Sequence, residues 1–148
     1  MPYVARLFIK TAVVYLVITF AGGAVLLTLE ALHHSAPFVF DVEHGHAGFV
    51  GWLVNMVFGV ALWLLPLNRE KFPQTQGRYP ETTARASFYA LNAGLVLRLF
   101  GEPWFDIHPS VAATATLAAA AVLQLAGALA FAWIAWYRIF APPLRPDL

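Results

Sequence analysis

The chain has 148 residues, 60% of them hydrophobic and 11% charged, with a mean hydropathy of +0.68, and these values exclude an ordinary soluble domain. A formal net charge of +1 supplies no basic field for nucleic acid. The absence of cysteine excludes disulfides, thiolate metal sites, thiol nucleophiles and iron–sulfur clusters, leaving five histidines as the main ligands for a metal or cofactor.

A bilayer core of roughly 30 Å takes about 20 mostly apolar residues per helix, and four stretches meet that requirement. The first runs from about Arg6 to Leu32 and is too long, and too closely followed by further apolar sequence, for a cleaved secretory signal. Ser35-Ala36-Pro37 breaks it. The second runs from His44 to Leu67 and gives way to a polar segment from Pro66 through Pro80. The third runs from Thr82 to Gly101, with stops predicted at Glu102-Pro103 and His108-Pro109 because proline removes a backbone donor. The fourth runs from Ser110 to Phe140, and Pro142, Pro143 and Pro146 end it. The predicted fold class is all-α: an integral membrane four-helix bundle forming one domain over residues 1–148.

Eight of the nine basic residues, Arg6, Lys10, Arg69, Lys71, Arg78, Arg85, Arg138 and Arg145, fall on one side of these spans, and the two loops on the other side carry none. The positive-inside rule then predicts both termini in the cytoplasm and a multi-pass protein of the plasma (inner) membrane. Trp104 at the outer end, and Trp63, Trp133, Trp136, Tyr137 and Tyr79 at the inner ends, fit interfacial anchoring. In that orientation His33, His34, His44, His46 and His108 all fall on the outer side, together with Glu30, Asp41, Glu43, Glu102 and Asp106.

Histidine suits haem iron, copper and zinc, so these five are the candidate metal ligands. His33 and His34 follow Glu30 by three and four residues, a spacing at which the acid can orient either ring. On the second helix, His44, Gly48, Gly51, Asn55 and Gly59 recur at three- and four-residue steps as one stripe of small and polar residues, opposite a lipid-like face of Val50, Leu53, Val57, Val60 and Leu64. Glycines in membranes serve close helix packing, but a stripe headed by His44 also suits a flat cofactor lying beside Gly48, Gly51 and Asn55. His46 points roughly 200° away from His44 on a helix, so the two do not serve one metal from one face. On the third helix, Arg98 sits in an apolar half-span, where a charge costs roughly 2.5–3.5 kcal/mol on insertion scales. Its options are Glu102 four residues on, snorkelling to the interface, or a carboxylate such as a haem propionate. Asn92 can meet Asn55 across a helix interface, and the alanine-rich fourth helix, with Gln124 and Gly127, predicts tight packing. No Walker or dinucleotide loop is present, and Ser35, Ser87 and Ser110 lack a nucleophile-elbow context.

The run HGHAGFVGWLVNMVFGVALWLLP, His44 to Pro66, followed by FYALNAGLVLRLFGEPW, Phe88 to Trp104, resembles small four-helix membrane proteins related to the catalytic subunit of haem-copper oxidases and nitric oxide reductases. The resemblance covers the second and third helices. It implies that His44 ligates a low-spin haem b and that Arg98 holds a propionate, with His33, His34, His108 or a second copy's His44 as the other axial ligand. The large family members spread a fuller histidine set, copper ligands included, over more helices. For a chain this short the resemblance therefore implies redox carriage, small-gas binding or an accessory role beside respiratory-complex subunits, and assembly as a homo-oligomer such as a trimer. The alternative expectation is a non-catalytic assembly module whose outer histidines bind copper or no metal.

Overall fold

The computed structural model describes residues 1–141, and the tail carrying Pro142, Pro143, Arg145 and Pro146 lies outside them. The described residues form four long helices and no strand: α1 (Tyr3–Ala31), α2 (Phe38–Leu64), α3 (Glu81–Ile107) and α4 (Val111–Ile139). A short 3₁₀ turn covers Pro73–Thr75. Three of the helices, α1, α2 and α4, are long and apolar enough to cross a membrane. The expected fourth span, α3, falls short on composition, because Arg85, Asn92, Arg98 and Glu102 interrupt its apolar run.

The two helix boundaries that differ most from those the sequence predicts both involve proline. α2 begins at Phe38 rather than His44: Pro37 stands just before its first turn, where a missing N–H costs nothing. α3 passes through Pro103 and ends at Ile107 rather than Gly101. A proline inside a helix forfeits one backbone bond; here the helix continues to His108, which Pro109 restricts to an extended conformation (φ −136°, ψ 78°). α1 ends in a left-handed turn, with His33 at φ 59° and the His34 amide donating to the Leu29 carbonyl at 2.9 Å. Ser110 caps α4, its hydroxyl accepting from the Ala113 amide at 3.2 Å.

α1 packs along α2 and α3 along α4, and the two pairs meet chiefly through α2 and α3. Glycine sets both close approaches. A Cβ on Gly59 would lie 2.7 Å from Ile9 and 3.0 Å from the Ala5 carbonyl oxygen, and one on Gly127 would lie 2.7 Å from the Leu91 amide nitrogen. The main core, Val4, Ala5, Phe8, Leu62, Tyr79, Ala84, Phe88, Leu91 and Ile134, gathers where the chain begins, and a thinner cluster of Tyr15, Ala47 and Leu95 continues it. Asn55 and Asn92 do meet, exchanging hydrogen bonds of 3.2 and 2.9 Å between α2 and α3, and the Ser87 hydroxyl donates to the Gly127 carbonyl at 2.7 Å.

Arg138 is more than a topology signal. It is 1% exposed, and its guanidinium donates to the carbonyls of Leu62 at 2.7 Å, Pro66 at 2.9 Å and Leu65, closing the C-terminal end of α2. Tyr79 departs from the interfacial reading: it is buried beneath that guanidinium, 5.7 Å from its ring centroid, whereas Trp63 and Trp136 are exposed.

Candidate functional site

Five buried positions of α2, Glu43, Ala47, Gly51, Asn55 and Gly59, recur every four residues. In a regular α-helix such a row drifts by about 40° per step and leaves the interface. The π-helical segment Ala47–Val54 winds more residues into each turn and takes the drift back, so that all five stay against neighbouring helices. Asn55 closes the segment, its side-chain amide donating to the Val50 carbonyl at 3.0 Å. Val50, assigned from sequence to a lipid-like face, instead packs against both core clusters.

Two residues apart on the regular α-helical start of α2, His44 and His46 face different helices. His44 lies against α1: a Cβ on Gly23 would meet its Cε1 at 3.0 Å and its Nε2 at 3.4 Å, and one on Gly22 would meet its Nδ1 at 3.6 Å. Nδ1 is buried with no hydrogen-bond partner among the described residues. Two cavities flank the ring. One, of about 830 Å³, is lined mainly by apolar residues including Ile18, Val25, Phe40 and Leu99; the other, of about 620 Å³, is lined by Glu30, His33, His34 and Asp41 among others.

The glycine stripe of α2 is taken up by α1 side chains. A Cβ on Gly48 would lie 3.2 Å from Thr19, and one on Gly51 would lie 2.5 Å from the Tyr15 ring, while Asn55 is engaged by Asn92. The backbone that the His44 ring itself rests against is that of Gly22 and Gly23 of α1 instead, two adjacent glycines that stand out in an apolar span.

Facing α3, Glu43, His46 and Glu102 each offer a ligand atom within 4.8 Å of the others. The His46 Nδ1 lies 3.5 Å from Glu43 Oε1, and Arg98 pairs with Glu102 at 2.5 Å. Glutamate 102 is thus the partner Arg98 takes, and Arg98 lines neither cavity beside His44. Glu43 is 6% exposed, and neither of its carboxylate oxygens has a hydrogen-bond partner among the described residues. The spacing of Glu43 and His46, i and i+3 on one helix, was the legible signal for this group; Glu102 comes from a helix remote in sequence. His33 and His34 are exposed at the polar cavity, and His108 is exposed beyond α3 and lines neither cavity.

The chain matches no family model, no curated protein and no solved structure. What the arrangement can do follows from its donors. Beside His44 an imidazole meets a large apolar wall, which suits a flat, hydrophobic group with one ligand position. Around Glu43 the donors are two carboxylates and an imidazole with no sulfur, a set that suits a divalent cation.

Proposed function

We propose that the chain is a multi-pass protein of the plasma (inner) membrane that binds haem b through His44 and serves one-electron transfer or small-gas binding. In this reading α3 is the fourth span, both termini are cytoplasmic and the histidines lie outside. The exposed apolar side chains of α1 and α4, such as Val17, Phe20, Val122 and Leu125, suit lipid, a second copy of the chain or subunits of a respiratory complex.

The observation that carries the reading is the setting of His44: an imidazole with a buried, unpartnered Nδ1, resting on bare glycine backbone beside an apolar cavity of about 830 Å³. The groove is open along Ile18, Val25 and Phe40, and its volume falls within the roughly 300–1,000 Å³ of cofactor pockets. Haem held there would supply one-electron chemistry, or a gas site where one axial position stays open. The chain's own part would be to ligate through His44, to seat that ring against Gly22 and Gly23, and to line its apolar side with Val25, Phe40 and Leu99. Glu30, in the adjoining cavity, would orient whichever of His33 and His34 supplies a second ligand. Arg98, being paired with Glu102, and Gly48, Gly51 and Asn55, which are covered by Thr19, Tyr15 and Asn92, are the elements of the expectation that this geometry does not support.

Detergent-purified protein is expected to show a Soret band, reduced α and β bands and bound iron, all lost in His44→Ala. An unchanged spectrum in that variant overturns the assignment. A colourless, folded preparation with stoichiometric copper would favour the second reading, an assembly module, to which the polar cavity of His33, His34 and Asp41 lends support. His33→Gly separates ligand from scaffold, since glycine adopts φ 59° freely and preserves the end of α1.

A further inference from the structure

We propose a second site, adjoining that of His44, whose apolar cavity Glu43 also lines, in which Glu43, His46 and Glu102 hold one divalent transition-metal cation between α2 and α3. The geometry points to it through two separate observations. The first is convergence: three donors from two helices bring one atom each to within 4.8 Å of one another. Donor atoms bound tetrahedrally at about 2.0–2.1 Å lie roughly 3.3 Å apart, and the 3.5 Å between His46 Nδ1 and Glu43 Oε1 is close to that edge.

The second observation is the state of Glu43. Its side chain is 8% exposed, and both carboxylate oxygens, like His46 Nδ1, lack a hydrogen-bond partner among the described residues. Buried carboxylates are ordinarily satisfied by several donors, because an unpaired one forfeits its hydration. The neighbouring guanidinium does not satisfy this one: Arg98 pairs with Glu102. A dication bridging Glu43 and Glu102 would hold both carboxyl groups in their ionised form beside a single guanidinium.

The donor chemistry selects among cations. One imidazole with two carboxylates and no thiolate suits zinc, ferrous iron or manganese, whereas calcium would prefer an all-oxygen shell. A Glu-x-x-His step on one helix with a Glu from another is also the half-set from which helical bundles build carboxylate metal sites. Three protein ligands leave a coordination position for water or a small ligand, and a cavity of about 380 Å³, lined by Val42, Glu102 and Asp106 among others, adjoins Glu102. The cation would pin the start of α2 to the end of α3, remote from the main core.

The test uses the full chain in detergent, stripped with a chelator and titrated with zinc, and with cobalt for its visible spectrum. One cation per chain is expected, bound at least about tenfold more weakly in Glu43→Gln, His46→Ala and Glu102→Gln, and unchanged in His108→Ala. No stoichiometric binding, or affinity in the Glu43 and His46 variants within tenfold of the unaltered protein's, overturns the proposal, the latter placing the ion at other histidines. Should a variant fail to fold, X-ray absorption of the cobalt-loaded, unaltered protein decides: a shell of oxygens with one imidazole upholds the site, and two or more imidazoles refute it.

Discussion

Arg138 shows how a charge can be structural inside an apolar bundle. Three donors of one planar guanidinium meet three carbonyls at the end of α2, a geometry no ammonium reproduces. Each buried carbonyl stranded by its removal costs about 1–3 kcal/mol, so Arg138→Ala is expected to lose about 3 kcal/mol or more in denaturant unfolding from micelles, with Arg138→Lys in between. A loss under about 1 kcal/mol for Arg138→Ala would contradict the capping role. Tyr79, packed beneath the guanidinium, has a buried hydroxyl without a partner among the described residues, and burial pushes its phenol up from the ordinary value of 10.0. The folded chain therefore keeps this proton to higher pH than the unfolded chain. Its contribution is constant below about pH 10 and is lost as pH rises beyond it, where ionisation favours the unfolded state. Tyr79→Phe should flatten that alkaline loss and, by deleting an unpaired hydroxyl, raise stability at neutral pH by up to about 1 kcal/mol. Identical alkaline unfolding curves for the two proteins would count against it.

At the scale of the helices, glycine has two opposite meanings that only packing separates. A Cβ on Gly127 would meet backbone of α3, the Leu91 amide at 2.7 Å and the Ser87 carbonyl at 2.9 Å, so neither helix can yield by a rotamer change. A Cβ on Gly45 would meet nothing within 4 Å. Gly127→Ala is accordingly expected to cost about 1–3 kcal/mol through overpacking, and Gly45→Ala to gain up to about 1 kcal/mol through helix propensity, both read from unfolding midpoints. Equal effects of the two would refute the close approach of α3 and α4. The same contrast explains what was legible in the sequence. Apolar runs announced α1, α2 and α4, and the pairing of Asn55 with Asn92 followed from amides placed in facing spans. Pro37 and Pro103 looked alike as breaks, yet one precedes a first turn and the other is carried within a helix, a difference set by flanking contacts. The row from Glu43 to Gly59 has a period of four, which a reading at 3.6 residues per turn treats as drift; the π segment that corrects it carries no distinctive composition. The surroundings of His44 were the least legible, because Gly22 and Gly23 stand against it only once α1 and α2 have paired.

For the molecule as a whole, the decisive question is whether α3, the least apolar of the four helices, crosses a bilayer. Four of its polar side chains are met by neighbours or by one another: Ser87 by the Gly127 carbonyl, Asn92 by Asn55, Arg98 by Glu102, and Arg85 by Glu81 at 2.8 Å. Each pairing lowers the cost of placing that group away from water, so α3 is expected to cross as part of the bundle although its composition alone is marginal. Because the chain has no cysteine, single cysteines report sidedness without interference. The four-span arrangement predicts that Ser35→Cys and Asp106→Cys react with a membrane-impermeant maleimide in intact cells, while Gln74→Cys reacts only after the membrane is opened. All three positions are exposed in the fold, so protection reports the bilayer rather than burial. If Asp106→Cys behaved like Gln74→Cys, α3 would not cross, and Glu102 could not stand on the same side of the membrane as Glu43 and His46. That outcome would remove the shared cluster of α2 and α3 along with the fourth span, whereas labelling of Ser35 and Asp106 from one side supports both.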